Sequence, residues 1–211
     1  MWRKPPGLRG PGLDRSTQPR QPGGLRHWRA DGFEMRLFAA IDIDPDVRKK
    51  LAELLDRLRP LAKLSWTTAD RMHITTKFIG EWPEERLEEM KHTLQSVGSP
   101  GVFEVEIRGL GWFPNSRRPR VLWAGVHGGA PLRDLARATE EAVYRSGVKR
   151  EDRPYSPHLT LARIRETVPL ERLAREVESV EVNFGRFQAA AFYLYLSRAG
   201  RYTKLADFPL T

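Results

Sequence analysis

The sequence predicts an α+β fold of two related lobes, each an antiparallel sheet with outer helices, set around a central cleft. Two observations carry this expectation. The elements run strand-helix-strand-helix-strand and then strand-helix-strand-helix-strand-strand, and each half holds one apolar strand of the form His-x-Thr-x. These are His73-Ile74-Thr75-Thr76 and His158-Leu159-Thr160-Leu161, set 85 positions apart. A chain of 211 residues is long enough for one domain with a sizeable core, or for two small lobes that share one.

Residues 1–34 hold five Pro and six Gly with neither helical nor strand period, so this stretch reads as a disordered N-terminal arm ahead of a folded domain over 35–211. Arg36 to Ile43 reads as a largely buried strand. Asp44 then caps a helix with Pro45 in its first turn, and Val47, Leu51, Leu54, Leu55, Leu58 and Leu61 form its apolar stripe. A short strand at Leu64-Ser65-Trp66 precedes the first His-x-Thr strand, which continues to Gly80. Pro83 opens a second helix with Leu87, Met90, Leu94 and Val97 on one side and Gly98 as its stop.

Val102 to Leu110 alternates as a half-exposed strand does, and Gly111 to Arg120 reads as a loop rich in aromatic and arginine residues. Val121 to Val126 is the next strand, and Pro131 to Gly147 a third helix. A polar connection then leads into the second His-x-Thr strand. Pro169 opens a fourth helix, and two strands close the chain: Val182 to Ser197, interrupted near Gly185, and Tyr202 to Phe208.

Composition narrows the function. The sequence contains no cysteine, which removes disulfides, thiolate nucleophiles and cysteine-based zinc sites and points to an intracellular, cytoplasmic protein. The longest apolar run, Ala189 to Leu196, is too short to span a bilayer, so no membrane association is expected. Of the net charge of +9, the arm carries +4 and the remaining 177 residues +5, a moderately basic body compatible with a polyanionic ligand.

In an extended strand, residues two apart share a face. His73 therefore lies beside Thr75 and His158 beside Thr160, while Ile74, Leu159 and Leu161 turn toward the core. Each motif offers an imidazole that gives or takes a proton near neutral pH and a hydroxyl that donates to an anionic oxygen. Two such pairs across one cleft would hold a phosphodiester between an acid and a base, although their near symmetry leaves the two roles unassigned. A bell-shaped pH profile follows. Arg163 is a candidate to hold charge on the phosphate and Lys77 a weaker one. Phe113, Arg117, Arg118, Arg120 and Tyr155 are candidate RNA contacts, since aromatic faces stack on bases and guanidinium groups bind phosphate.

Two rivals stand against this chemistry. A metal-dependent phosphodiesterase would need His, Asp and Glu at ligand spacing; neither His73 with Asp70 nor His158 with Asp152 supplies it, so neither metal nor other cofactor is expected. An RNA-binding module that merely holds ends is the other, and it draws on the basic body and the Trp112-Phe113/Arg117-Arg118 loop.

Several stretches together resemble the 2H phosphoesterase family, and within it the LigT-like RNA 2′,3′-cyclic phosphodiesterases, also called 2′-5′ RNA ligases. They are Met35 to Asp42, His73 to Glu81, Arg118 to Gly125 and Pro157 to Arg163, and the resemblance runs from Met35 to about Pro209. It implies a bilobed fold and hydrolysis of an RNA terminal 2′,3′-cyclic phosphate to a 2′-phosphate, with RNA ends or nucleotides carrying that phosphate as partners. Apart from the resemblance, a monomer is expected. By carry-over His73 protonates the leaving 3′ oxygen, His158 activates water, and Thr75 and Thr160 hold the phosphoryl oxygens. Ligation would be the reverse chemistry at the same site. The sequence departs at Thr76, where the family often has an aliphatic residue, and in the extra arm.

Overall fold

A computed structural model describes residues 34–179 and 182–211. The expected arm lies outside the described residues except for Glu34, which opens the first strand, β1 (Glu34–Asp42). Leu37 to Ile41 are all buried, as an uninterrupted apolar run requires of a strand covered on both faces. Helix α1 (Pro45–Leu58) starts where Asp44 caps it, its side chain accepting from the Asp46 amide at 2.8 Å. It ends before Leu61, because Pro60 has no N–H to continue the ladder, and Arg59–Leu61 form a 3-10 turn.

Next come β2 (Ser65–Trp66), β3 (His73–Pro83) and α2 (Leu87–Gln95). Pro83 closes β3 instead of opening the helix. Trp82 is buried in the strand and its indole N–H donates to the Arg86 carbonyl at 2.8 Å, bracing a 3-10 turn before α2 begins. The remaining elements are β4 (Phe103–Phe113), β5 (Val121–His127), α3 (Gly129–Arg145), β6 (His158–Arg163), α4 (Glu171–Ser179), β7 (Asn183–Ala189), β8 (Ala191–Arg198) and β9 (Arg201–Pro209). α4 begins past Pro169, at Glu171. The break expected near Gly185 falls at Ala190 instead, and Gly185 stays within β7 at φ 118°, a backbone that favours glycine.

Two antiparallel sheets result, in the orders β3-β1-β8-β9 and β2-β6-β5-β4-β7. Read position by position, β3-β1-β8-β9 matches β6-β5-β4-β7, so each motif strand lies beside the strand that precedes it through a helix. The sheets are not the two halves of the chain. β2 crosses from the first half to pair with β6, Ser65 opposite Arg163, while β8 and β9 return from the C-terminal end to extend the first sheet. α1 packs on β7, and α3 on both β3 and β4, so one hydrophobic core runs under both sheets. No described helix is long and apolar enough to cross a membrane.

Candidate active site

The two histidines are held in the same way. His73 opens β3 and His158 opens β6, and each Nδ1 lies on the carbonyl oxygen two residues back: Arg71 at 2.9 Å, Ser156 at 2.8 Å. A carbonyl only accepts, so Nδ1 carries the proton and Nε2 is left with its lone pair free. The imidazoles lie within each other's electrostatic reach, the charge of His158 opposing protonation of His73. Thr75 and Thr160 follow on the same faces, both partly exposed.

Around these matched anchors the surroundings differ. The His73 ring stacks on Phe38 with centroids 4.6 Å apart and meets the edge of Tyr202 at 5.2 Å. His158 meets Phe113 edge-on at 5.0 Å. Burial pulls His73 down from its ordinary 6.5 to about 4, against the opposing effects of the Arg71 carbonyl and of Asp42. His158 is also lowered, first by burial and then by the Arg163 guanidinium, against the Ser156 carbonyl. Both surroundings therefore favour the neutral imidazole in the free protein.

Opposite each histidine stands a different residue. Asp42 of β1 is the register partner of His73, and Gly125 of β5 that of His158. Asp42 accepts from the Tyr195 hydroxyl, and Lys204 donates to its other oxygen at 2.8 Å. The Lys204 ammonium also sits 3.4 Å from the centroid of Tyr193. Sequence reasoning missed this group. The i, i+2, i+4 spacing of Phe38, Ala40 and Asp42 places Asp42 on a face, but only the pairing of β1 with β3 and β8 sets it opposite His73 and beside Tyr195.

Arg163 joins the His158 face. Leu161 and Ala162 are both buried, and an irregularity in the β5–β6 ladder between Leu122 and Trp123 turns the next side chain back toward the motif. The same irregularity in β3 buries Thr76 and Lys77 together and returns Phe78 to the His73 face. Lys77, weighed above as a phosphate ligand, is inside the protein: its ammonium lies 2.8 Å from Glu140 and donates to the Lys149 carbonyl at 3.1 Å. The Thr76 hydroxyl is buried without a hydrogen-bond partner, which gives a physical reason for an aliphatic side chain at that position.

Of the candidate RNA contacts, Phe113 belongs to β4 and not to the loop. The strand runs further than its alternation suggested because Gly111 has no side chain: a Cβ there would sit 2.2 Å from the Trp123 ring. The loop proper is Pro114 to Arg120, where the Asn115 side chain accepts from the amides of Arg117 and Arg118 at 3.0 and 3.1 Å. Arg117, Arg118 and Arg120 are exposed at its rim. Tyr155 is placed differently, its hydroxyl donating to the Thr75 carbonyl at 3.1 Å. Among the described residues, no group of three or more His, Cys, Asp or Glu side chains converges as metal ligands would. A cavity between α2 and α3, lined by Thr93, Val97, Ala142 and Arg145 among others, includes none of the residues above.

Known proteins share this architecture. The chain is 32% identical over 161 residues to an RNA 2′,3′-cyclic phosphodiesterase of Archaeoglobus fulgidus, covering 76% of this chain and 89% of that one. It is 40% identical over 138 residues to an Aeropyrum pernix protein of the same name, covering 63% and 78%. Among solved structures, TT0787 of Thermus thermophilus superposes with a TM-score of 0.70 at 30% identity, over 83% of this chain and 98% of that one. E. coli LigT complexed with 3′-AMP does so with a TM-score of 0.68 at 25% identity, over 85% and 99%. The family described as LigT-like phosphoesterase matches residues 41–123 and 127–204, and the chain belongs to it.

Proposed function

We propose that the protein hydrolyses the 2′,3′-cyclic phosphate at an RNA 3′ end to a 2′-phosphate, without a metal ion. The observation that carries this reading is the matched pair of imidazoles, each tied through Nδ1 to its own carbonyl and each leaving Nε2 free. Opening a cyclic phosphate in line needs a base on one side of phosphorus and an acid on the other. His158 takes a proton from water as the new P–O bond forms. His73 gives its proton to O3′ as the P–O3′ bond breaks, leaving a 2′-phosphate and a free 3′-hydroxyl. Thr75, Thr160 and Arg163 hold the phosphoryl oxygens. Since burial favours both imidazoles neutral in the free protein, binding of the anionic substrate favours uptake of the catalytic proton from solvent.

Phe113 beside His158 and the arginines of the 114–120 rim would receive the adjoining RNA. The names of the relatives, and the capture of 3′-AMP by E. coli LigT, support a nucleotide ligand. The same reading takes the chain as a monomer in the cytoplasm; the cysteine-free sequence bears on the compartment alone, since it needs no oxidising environment.

Turnover of an oligoribonucleotide ending in a 2′,3′-cyclic phosphate, with EDTA present, tests the proposal. His73→Ala and His158→Ala should each lower the rate by about 10²–10⁴-fold. Turnover within about tenfold of the wild-type rate after either substitution, or turnover that EDTA abolishes, would refute it. RNA retained by all three proteins with no turnover would make the chain an end-binding module.

A further inference from the structure

The two motifs supply the same groups, so their near symmetry leaves open what makes one imidazole the donor. The answer lies in what stands across the ladder from each. Asp42 faces His73 and a bare Gly125 faces His158, where a Cβ would come within 2.4 Å of the Arg108 carbonyl oxygen. On the proposed reading of this site as a cyclic phosphodiesterase, we infer that Asp42, held by Tyr195 and tempered by Lys204, is the positioning residue that makes His73 the proton donor.

The geometry supports a built device. Asp42 is fixed at both oxygens, by the Tyr195 hydroxyl on one and the Lys204 ammonium on the other. Lys204 is itself seated on the Tyr193 ring. Tyr195 stacks on Phe38 with centroids 5.2 Å apart, and Phe38 stacks on the His73 ring, so the carboxylate and the imidazole share one aromatic floor. The groups facing His73 are Asp42 from β1, Tyr195 from β8, Tyr202 from β9, His158 from β6 and Arg71 from its own approach. Asp42 is the anion among them. Arg71 and His158 both oppose a proton on His73, and Asp42 favours one.

Lys204 gives this arrangement a sign that can be tested. It cancels part of the field of Asp42, so removing the carboxylate and removing the ammonium must act in opposite directions. A purely structural role would push both the same way. The Asp42–Lys204 pair is partly exposed, and Asn at position 42 keeps an acceptor for Tyr195, so the variants should fold.

The experiment is a titration of the labelled His73 and His158 imidazole signals by NMR, with and without 3′-AMP, in the wild type, Asp42→Asn and Lys204→Met. Rates on the cyclic-phosphate oligonucleotide are measured across pH alongside it. Asp42→Asn should move the His73 titration to lower pH and the alkaline limb of kcat with it, lowering kcat about tenfold or more at pH 7. Lys204→Met should move both to higher pH, and His158 should move less than His73 in each. Shifts of one sign in the two variants, or unmoved His73 titrations beside lowered rates, would overturn the inference. Opposite His73 shifts in a wild type that turns over no cyclic phosphate would remove the enzymatic reading, and with it the donor role, while locating the failure in the reaction and not in the electrostatics.

Discussion

At the scale of the residue, His73 and His158 are ordinary imidazoles made unusual by what covers them. Phe38, Tyr195 and Tyr202 withdraw His73 from water, and a charged ring loses more by this than a neutral one, so its titration falls to about 4. His158 falls for the same reason, with Arg163 adding to it. Acid–base catalysis needs one of the two protonated and the other not. In the free protein that singly protonated state is most populated between the two titrations, which both lie below 6.5. Since kcat/KM reports the free protein and kcat the complex, kcat/KM should be greatest below pH 6.5. The kcat profile should lie at higher pH, because a bound phosphoryl anion favours the imidazolium. Rates on a cyclic-phosphate substrate from pH 4 to 9 check this, and a kcat/KM maximum at or above pH 7 contradicts it.

At the scale of the element, β3 ties the site to the body of the protein. Lys77 is almost wholly buried, with Glu140 of α3 taking its charge and the Lys149 carbonyl accepting from it, while a Glu140 oxygen also accepts from the Glu151 amide. Removing one partner of a buried pair strands the other, whereas replacing the buried cation by an apolar chain leaves Glu140 able to reach water. Glu140→Ala should therefore cost about 3 kcal/mol or more, and Lys77→Met about 1 kcal/mol or less. Urea unfolding at constant m-value measures both; equal costs would mean that the pair is not a buried unit. The same strand marks where sequence reading stops. Strict alternation puts Lys77 on the face of His73 and Thr75, and turns Arg163 away from His158 and Thr160. The irregularities after each motif reverse both placements. They arise from pairing with β1 and β5, and no local composition near Thr76 or Leu161 announces them. Helix positions fared better, since the stripe of Val47, Leu51, Leu54, Leu55 and Leu58 depends on nothing beyond the helix.

At the scale of the whole molecule, the sequence showed two lobes and two motifs but not how the lobes are interlaced. β2 has only two residues, too few for a periodic signal, and the pairing of β8 with β1 joins residues more than 150 positions apart. The motifs meet because chain from each half is built into the opposite sheet, and Tyr155 makes one such tie directly. It lies in the approach to β6, and its hydroxyl donates to the Thr75 carbonyl inside the first motif. Burial pushes the phenol well above its ordinary titration range, so it remains a donor at any working pH. Tyr155→Phe keeps the ring and deletes only this bond, which should lower stability by about 1 kcal/mol. The bond also fixes the segment that delivers His158 against the strand that carries His73. In-line displacement is sensitive to misplacement on the ångström scale, so kcat should fall further than the stability loss requires, by about tenfold, with the pH profile unmoved. If Thr75, Thr160 and Arg163 hold the phosphate as proposed, KM should stay within a few-fold. A variant that unfolds earlier yet turns over at the wild-type rate would make Tyr155 a brace for the fold alone, and would mean that the two imidazoles are aligned by the sheets without it.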